Sequence, residues 1–196
     1  MRDAVALFPP IMRSTPVNTV LETERLILRP FAIDDFDAFA AMYADPRVMQ
    51  FLAVDGKPMS RFDAWRALAG IVGHWALRGF GMFALVERST ETLVGRAGPW
   101  EPEGWPDFEI GWALRSEYWG RGYVTEAVNR CIAHAFTDLN RSHLSSFILP
   151  ENIRSIRVAE RVGERFEGEV ALPHLPDRKV LQYGLSRNEW QSRRPT

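Results

Sequence analysis

The sequence has a single cysteine and almost no lysine. Cys131 has no internal partner for a disulfide, and no cysteine and histidine cluster has metal-ligand spacing. Lysine occurs only at Lys57 and Lys179, and the formal net charge is -1. No global positive field therefore exists to hold a nucleic-acid backbone. We expect no metal site, no nucleic-acid partner and a reducing, cytoplasmic location.

Long apolar runs are also lacking. No uncharged apolar stretch approaches the ~20 residues that cross a bilayer, so we expect no membrane partner. The first residues do not fit a secretory signal, because Asp3 follows Arg2 directly and Pro9 and Pro10 break the apolar stretch. We expect residues 1–20 to form an N-terminal arm and residues 21–196 to form one soluble domain, as a monomer or a homodimer.

Periodicity predicts the order of elements. The stretch "RLILRPF" predicts a first strand, and apolar residues recurring from Phe36 to Tyr43 predict a helix limited by Pro46. A second helix is expected from Ser60 to Gly79. Its predicted buried stripe is Trp65, Leu68, Ala69, Val72 and Ala76.

The second half of the sequence alternates strands and helices. Two β runs joined by a turn at 88–92, and a third run "DFEIGWAL", predict an antiparallel meander. A helix carrying Cys131 on its apolar stripe and His134 on its polar side begins behind Gly122. A strand "HLSSFIL", a helix from the cap Asn152 to Gly163 and closing strands follow. The fold class is α+β, or α/β, with one mixed sheet.

The stretch "SEYWGRGYVTEA" places Gly120 and Gly122 between a predicted strand and a predicted helix. Glycines there let the backbone turn sharply, so that several N–H groups face one anion where the helix dipole also favours negative charge. A Rossmann fingerprint is excluded because position 125 is Thr, and a P-loop is excluded because no lysine follows Gly122. A tight turn without a ligand stays open at this point.

Three stretches carry a family likeness. In order and spacing, "ETERLILRPFAIDDFDAFAAMYADPRV", "EIGWALRSEYWGRGYVTEA" and "ENIRSIRVAERVGERFEGE" resemble the GNAT superfamily of acyl-CoA N-acyltransferases, specifically its RimJ/RimL-like branch. The resemblance implies a mostly antiparallel sheet flanked by helices and splayed between its fourth and fifth strands. It also implies acetyl-CoA as co-substrate.

The resemblance implies a cofactor site built mainly from backbone. The pantetheine would pair with the strand "DFEIGWAL", and the pyrophosphate would bind main-chain N–H groups of the glycine loop, because Glu117 cannot donate. Asn152 and Ser155 match the family's N-x-x-S motif, although Asn152 can equally be a plain helix cap. The implied cofactor-binding residues are Ile110, Trp112, Leu114, Arg115, Trp119, Gly120, Arg121, Gly122, Tyr123, Val124, Thr125, Asn152 and Ser155.

The implied reaction is attack of a primary amine on acetyl-CoA in a ternary complex. Glu109 is the candidate base and Ser155 the candidate donor to the leaving thiolate, with Tyr183 as its substitute. An exposed strand carboxylate is the alternative for Glu109. The acceptor is a protein N-terminus, a polyamine or a small-molecule amine. Acidic residues near the cleft would suit a polyamine: Glu101, Glu103, Asp107 and Glu109. We also expect one or two tryptophans to wall the acceptor pocket, from among Trp100, Trp105, Trp112 and Trp119.

Two other functions remain open. A non-catalytic acyl-CoA-binding module would keep the glycine loop and need no base. A nucleic-acid-binding domain is disfavoured by the charge and would bind with strong salt dependence.

Overall fold

One eight-stranded sheet organises the chain. The computed structural model describes residues 19–52, 55–173 and 175–193, so most of the expected arm, residues 1–18, lies outside the described residues. The spatial order is β1-β2-β3-β4-β5-β6-β8-β7. All recorded pairs of neighbouring strands are antiparallel except β5 and β6, which run parallel. The strands are β1 (Leu21–Glu22), β2 (Leu26–Arg29), β3 (Phe83–Glu87), β4 (Thr92–Trp100), β5 (Glu109–Leu114), β6 (His143–Ile148), β7 (Arg165–Leu172) and β8 (Leu175–Ser186).

Six α-helices accompany the sheet. They are α1 (Phe36–Tyr43), α2 (Pro46–Met49), α3 (Arg61–Arg78), α4 (Tyr123–Thr137), α5 (Ile153–Val162) and α6 (Arg187–Ser192). Helices α1 and α3 pack on one another, while α4 lies on β4 and β5 and contacts α5. The predicted mixed α+β fold with a mostly antiparallel sheet is confirmed. No helix in the described part of the chain is long and apolar enough to cross a bilayer.

The helix ends follow the predicted caps. The Ser60 hydroxyl accepts from the Asp63 N–H at the start of α3, and the Asn152 side chain accepts from the Ser155 N–H at the start of α5. Gly163 ends α5 in the left-handed conformation, at φ 99°. Pro46 differs from the expectation: it opens α2 behind the cap Asp45 instead of only ending α1.

The predicted stripe of α3 was wrong in its position. Leu68 is buried, but Trp65 and Val72 are about half exposed, and the buried face carries Ala64, Leu68, Ile71, His74 and Trp75. Trp65 packs edge-on against Phe36 on α1 instead. The helix has apolar residues on both sides, so periodicity alone did not decide which side meets the sheet.

Helix α4 supplies one confirmed residue and one correction. Cys131 is fully buried, and burial raises the pKa of its thiol to about 12, which makes it an inert core residue. His134, expected on the polar side, is buried with 5% of its surface exposed. Its Nδ1 lies 2.7 Å from the Asp138 carboxylate one turn later, which satisfies the imidazole inside the protein.

The sheet opens between β5 and β6. These two strands correspond to the family's fourth and fifth strands, because the two-residue β1 raises every later strand number here by one. Their only recorded register pair is Glu109 with Ser145, supported by the Ser145 N–H donating to the Phe108 carbonyl at 2.9 Å. Beyond Glu109, β5 continues along β4 for five more residues with no recorded register pair to β6, although the Ser146 hydroxyl of β6 still reaches the Ile110 carbonyl. The predicted splay is confirmed.

Candidate active site

Two adjoining cavities occupy the opening. The central cavity has a volume of about 480 Å³ and includes Tyr43, Arg96, Trp100, Trp105 and Glu109 in its wall. The loop groove has a volume of about 630 Å³ and runs along the glycine loop and α5. Residues Phe51, Leu52, Trp112, Asn152 and Ser155 line both. The cavities therefore meet at the end of the splayed strands.

The glycine loop forms one wall of the groove. Gly120 and Gly122 have φ values of 77° and 81°, and Gly122 is the N-cap of α4. A Cβ added at Gly120 would meet nothing within 4 Å, so this residue type is required by the backbone conformation and not by crowding inside the protein. Arg25 fixes the loop from behind by donating to the Arg121 carbonyl at 2.9 Å and pairing with Glu126 at 2.6 Å.

The cations of the groove differ from those expected. The Arg115 side chain donates to the Leu93 carbonyl and pairs with Glu117 at 2.7 Å, and the Arg121 side chain donates to the Glu117 carbonyl. Neither Arg115 nor Arg121 lines the groove. Its arginines are Arg47, Arg154, Arg157 and Arg161.

Three of these arginines share one face of α5. Their spacing of i, i+3 and i+7 is visible in the sequence and is the signal that predicts this face: Arg154, Arg157 and Arg161. The Arg154 guanidinium stacks 4.5 Å from the centre of the Trp119 ring, and Arg161 donates to the Thr125 hydroxyl at 3.4 Å. The groove thus has a positive wall facing the glycine loop.

The backbone of β5 faces the opening at alternate residues. The Arg115 N–H donates to the Val94 carbonyl. Because hydrogen-bonded pairs alternate along an antiparallel ladder, β5 bonds to β4 through the backbone groups of residues 109, 111, 113 and 115. The N–H and C=O groups of Ile110, Trp112 and Leu114 then point toward β6. Two carbonyls there are already bonded: Ile110 accepts from the Ser146 hydroxyl at 2.8 Å, and Leu114 accepts from the Trp119 indole at 3.1 Å. Both backbone groups of Trp112 and the N–H of Leu114 face the gap.

Trp112 and Ser155 form the contact at the junction. The Trp112 indole N–H donates to the Ser155 hydroxyl oxygen at 3.3 Å. Ser155 is then an acceptor from Trp112, and its single hydroxyl hydrogen stays available to another partner on the wall that the two cavities share. The side-chain oxygen of Asn152 caps α5 by accepting from the Ser155 N–H at 3.2 Å. The amide NH₂ group of Asn152 is left as a donor.

Glu109 is the carboxylate of the central cavity. Its side chain lies over Gly111, where an added Cβ would stand 2.9 Å from Oε1, and it accepts a hydrogen bond from the Trp105 indole at 2.8 Å. Burial raises the pKa of Glu109 to about 7, against the opposing effects of the Trp105 hydrogen bond and the Arg96 charge. A carboxylate that titrates near neutral pH can accept a proton there.

A second buried acid stands behind the opening. Glu164 is 2% exposed, and its Oε2 has no hydrogen-bond partner among the described residues. Its Oε1 lies 2.9 Å from the Ser146 hydroxyl, which already donates to Ile110. Burial raises the pKa of Glu164 to about 8, and the charges of Glu109 and Glu167 raise it further against the Ser146 hydrogen bond. A protonated Glu164 can donate to Ser146, so one chain of bonds runs from Glu164 to the Ile110 carbonyl.

The structure does not bring every candidate to the site. Tyr183 lines neither cavity; its ring packs edge-on with Phe166, beside Ile148 and Ala159. Of the acidic segment, only Glu109 lines the central cavity, because Glu101 pairs with Arg141 and Asp107 with His143. The four tryptophans singled out in the sequence all line the opening: Trp100 and Trp105 wall the central cavity, Trp119 the groove, and Trp112 both, so three and not one or two face the central cavity.

Two residues of the central cavity were missed by the sequence reasoning. Arg96 on β4 donates through Nε to the Tyr43 hydroxyl on α1 at 2.7 Å. The partners are 53 residues apart, and neither lies in a local motif. Only the packing of α1 on β4 brings them together.

The comparisons with known proteins agree with this geometry. A model of the "Acetyltransferase (GNAT) domain" matches residues 25–165. An uncharacterized N-acetyltransferase p20 of Bacillus licheniformis is 28% identical, over 87% of this chain and 97% of that protein. The structure of an acetyltransferase from Agrobacterium tumefaciens superposes with a TM-score of 0.76 at 29% identity, covering 95% of this chain and all of that one. A GNAT-family acetyltransferase from Bacillus anthracis gives a TM-score of 0.74 at 25% identity, over 87% and 100% of the two chains. The chain belongs to the GNAT acetyltransferase family.

Proposed function

We propose that the protein transfers the acetyl group of acetyl-CoA to a primary amine, in a ternary complex assembled at the junction of the two cavities. The observation that carries the proposal is that junction: the groove and the central cavity meet at Trp112 and Ser155, and Glu109 is the one carboxylate that the described residues place in the wall of the central cavity. A donor and an acceptor bound on the two sides would touch there, which removes the entropic cost of bringing them together.

The loop groove fits coenzyme A. The Trp112 and Leu114 backbone groups that face the gap can pair with the amides of pantetheine as a further strand would. The glycine loop and the first N–H groups of α4 can bind the pyrophosphate, as the predicted residues Trp119 to Thr125 imply. Arg154, Arg157 and Arg161 add cationic donors for phosphate oxygens. In this arrangement, Arg115 and Arg121 support the loop and do not contact the cofactor.

Glu109 is proposed to receive the proton of the attacking amine, directly or through water. An ammonium ion has no lone pair to attack with, so a base is required. The raised pKa of Glu109 suits this task, because its carboxylate forms near neutral pH and is basic enough to take the proton. The Trp105 indole and the backbone of β5 hold the carboxylate in the cavity wall.

Ser155 is proposed to stabilise the leaving thiolate. Acetyl-CoA supplies an activated acyl group on sulfur, and that sulfur leaves with negative charge. Because Trp112 donates to the Ser155 oxygen, the hydroxyl hydrogen is left to donate to the sulfur. Tyr183 lies outside both cavities and is not proposed for this role.

The test measures binding and turnover separately. We expect calorimetric binding of acetyl-CoA and thiol release with at least one member of a panel of amines that spans amino acids, aryl amines, polyamines and peptides. Glu109→Gln should lower turnover by about 10²-fold or more while leaving acetyl-CoA affinity unchanged. Glu103→Gln, at a fully exposed side chain of the same segment, is the matched control.

Binding of acetyl-CoA without thiol release across the whole panel would favour the second candidate, a non-catalytic acyl-CoA-binding module. Thiol release that survives in Glu109→Gln would leave the transferase proposal standing and remove Glu109 from it. The RimJ/RimL-like branch, the cytoplasmic location and the small-molecule or peptide acceptor remain predictions.

A further inference from the structure

The central cavity has the wrong chemistry for a polycation. A polyamine carries several ammonium groups, which need compensating negative charge when they leave water and which a neighbouring cation repels. Among the described residues, Glu109 is the one carboxylate in the wall, and the wall is otherwise mostly apolar and aromatic. The same wall contains the cation Arg96. One ammonium group and an apolar body match these surroundings.

The guanidinium of Arg96 is partly buried, and no recorded contact with a described acidic residue neutralises its charge. None of the recorded ion pairs in the described part of the chain includes it, and its recorded partners are neutral: the Tyr43 hydroxyl at 2.7 Å from Nε and the Met82 sulfur at 3.3 Å from Nη1. A guanidinium carries five N–H groups, so most of its donors are left over. A partly desolvated cation with unused donors is a binding site for an anion.

Tyr43 strengthens this interpretation. Its side chain is 5% exposed and lines the cavity, and its hydroxyl oxygen accepts from Arg96. The hydroxyl hydrogen is therefore free to donate to the same anion. Arg96 and Tyr43, on β4 and α1, form a pair of convergent donors that we call the anion pair.

The anion pair and Glu109 lie on the same face of the sheet. Arg96 pairs in register with Ala113, and Glu109, Gly111 and Ala113 alternate along β5, so their side chains share one face. Gly111 stands between them without a side chain, and the Glu109 carboxylate leans over it. A negative group and a positive group thus line one cavity, and the Met82 methyl also lies over Gly111, 2.7 Å from where an added Cβ would stand.

We propose that the acceptor is an amino acid with an apolar or aromatic side chain, whose carboxylate binds Arg96 and Tyr43 while its amine faces Glu109. This inference rests on the proposed function for the amine's role, but the complementarity itself concerns binding. The side chain would pack on the aromatic wall that Trp100 and Trp105 provide. The reaction balances as follows: Glu109 takes one proton from the ammonium group, the freed amine nitrogen forms the amide bond, and the carbon–sulfur bond breaks with its electron pair leaving on the sulfur. The second proton of the nitrogen ends on this thiolate to give the thiol, and Glu109 releases its proton to water.

The experiment compares matched acceptors on the wild-type protein. Phenylalanine, phenylalaninamide, phenethylamine and spermidine are titrated calorimetrically into the protein with CoA present, and each is assayed for thiol release from acetyl-CoA. We expect phenylalanine to bind and to react about 10- to 100-fold better, in kcat/KM, than phenylalaninamide or phenethylamine, because only it satisfies the anion pair. Spermidine should be the weakest.

Variants then assign the preference to its residues. Arg96→Gln should reduce the ratio of phenylalanine to phenethylamine, in affinity and in kcat/KM, by about tenfold or more, and Tyr43→Phe should reduce it by a smaller factor. Arg88→Gln, at the exposed ion pair with Glu22, controls for the loss of one positive charge. If Arg96→Gln does not fold, the ratio in Tyr43→Phe and the wild-type series decide alone.

Two results would overturn the proposal: phenethylamine or spermidine bound as tightly as phenylalanine, or a ratio unchanged in the Arg96 and Tyr43 variants. Failure of the proposed function gives a different pattern. Phenylalanine would bind with the expected dependence on Arg96 while no amine released thiol. The binding arm therefore decides the acceptor class whether or not turnover is seen.

Discussion

The indole N–H of Trp112 lies 3.3 Å from the hydroxyl oxygen of Ser155, and this contact joins β5 to α5 where the loop groove meets the central cavity. It orients a hydroxyl that would otherwise rotate freely. Its direction also makes the two residues unequal: Trp112 donates, and Ser155 accepts and keeps its own hydroxyl hydrogen for another partner.

Removal of the Ser155 hydroxyl should slow the reaction without harming the fold. We expect Ser155→Ala to lower kcat by about 10- to 100-fold, because a donor to the leaving sulfur is lost. Trp112→Phe keeps an aromatic ring but lacks the indole N–H, and it should lower kcat by less than Ser155→Ala does. Ser192→Ala, at an exposed hydroxyl on α6, is the control. Steady-state kinetics with saturating acetyl-CoA measure the effect, and an unchanged kcat in Ser155→Ala would exclude the role.

The pH profile should report Glu109. Because burial raises its pKa to about 7, the carboxylate that acts as base is lost as the pH falls below this value. We expect kcat/KM to rise with pH to a plateau, with its half-maximal value near pH 7, and this limb to be absent from the residual activity of Glu109→Gln. A limb near pH 4.5, the ordinary carboxyl range, would contradict the assignment.

Gly120 and Gly104 form a matched pair for the glycine loop. Both have φ 77°, and a Cβ at either would meet nothing within 4 Å. Substitution by alanine should cost each about 1–2 kcal/mol of stability through left-handed strain alone. Only Gly120→Ala should also weaken CoA binding, by about tenfold, since only Gly120 lines the groove. Equal CoA affinity of the two variants in calorimetry would show that the loop does not bind the cofactor.

Glu164 should make stability depend on pH. Its pKa is raised from 4.5 to about 8, so the folded state keeps a proton that the unfolded state releases over this range. Stability should therefore fall as the pH rises from about 4.5 to about 8, with a slope that approaches about 1.4 kcal/mol per pH unit. The difference in unfolding free energy between wild type and Glu164→Gln, by urea denaturation, isolates this contribution from that of Glu109. A difference that stays constant with pH would show that Glu164 is ionised in the fold.

The raised pKa of His143 should also make stability fall as the pH rises, over a range that begins at 6.5, its ordinary value. Partial burial opposes its protonation, but the hydrogen bonds and charges of Glu167 and Asp107, each 2.9 Å from a ring nitrogen, prevail and raise its pKa. The stabilisation is complete below the ordinary value of 6.5 and is lost as the pH rises through the raised pKa.

The variant His143→Gln should therefore be most destabilised, relative to wild type, at pH values below 6.5, and least so once the pH has passed the raised pKa of His143. Thermal unfolding across this range measures it. A deficit that grows with rising pH would contradict the assignment of a protonated histidine.

Local signals in the sequence predicted much of the fold and the backbone geometry of the glycine loop. Asn152, Gly163 and the paired glycines act through backbone geometry within a few residues, so their roles are readable from neighbours in the chain. The splay of β5 and β6 came from the family likeness. The structure confirms it through the single pair of Glu109 with Ser145.

The central cavity was not readable in the same way. Arg96 and Tyr43 meet only after α1 packs on β4, and the buried carboxyl of Glu164 meets Ser146, 18 residues earlier on β6, only in the folded sheet. The buried face of α3 and the burial of His134 were misassigned for a related reason. Each depends on which side of a helix meets the sheet, and helices with apolar residues on both sides leave that to tertiary packing.

The last rung between β5 and β6 is formed by the residue that carries the proposed base. Main-chain hydrogen bonds to β4 at Glu109 and to β6 at Phe108 fix the Cα of Glu109, and the Trp105 indole, from the segment between β4 and β5, holds its carboxylate. Insertions or exchanges around the cavity that keep Trp105 can then remodel what enters it while the carboxylate stays in place. Such a layout permits descendants of one enzyme to change acceptors without rebuilding the chemistry.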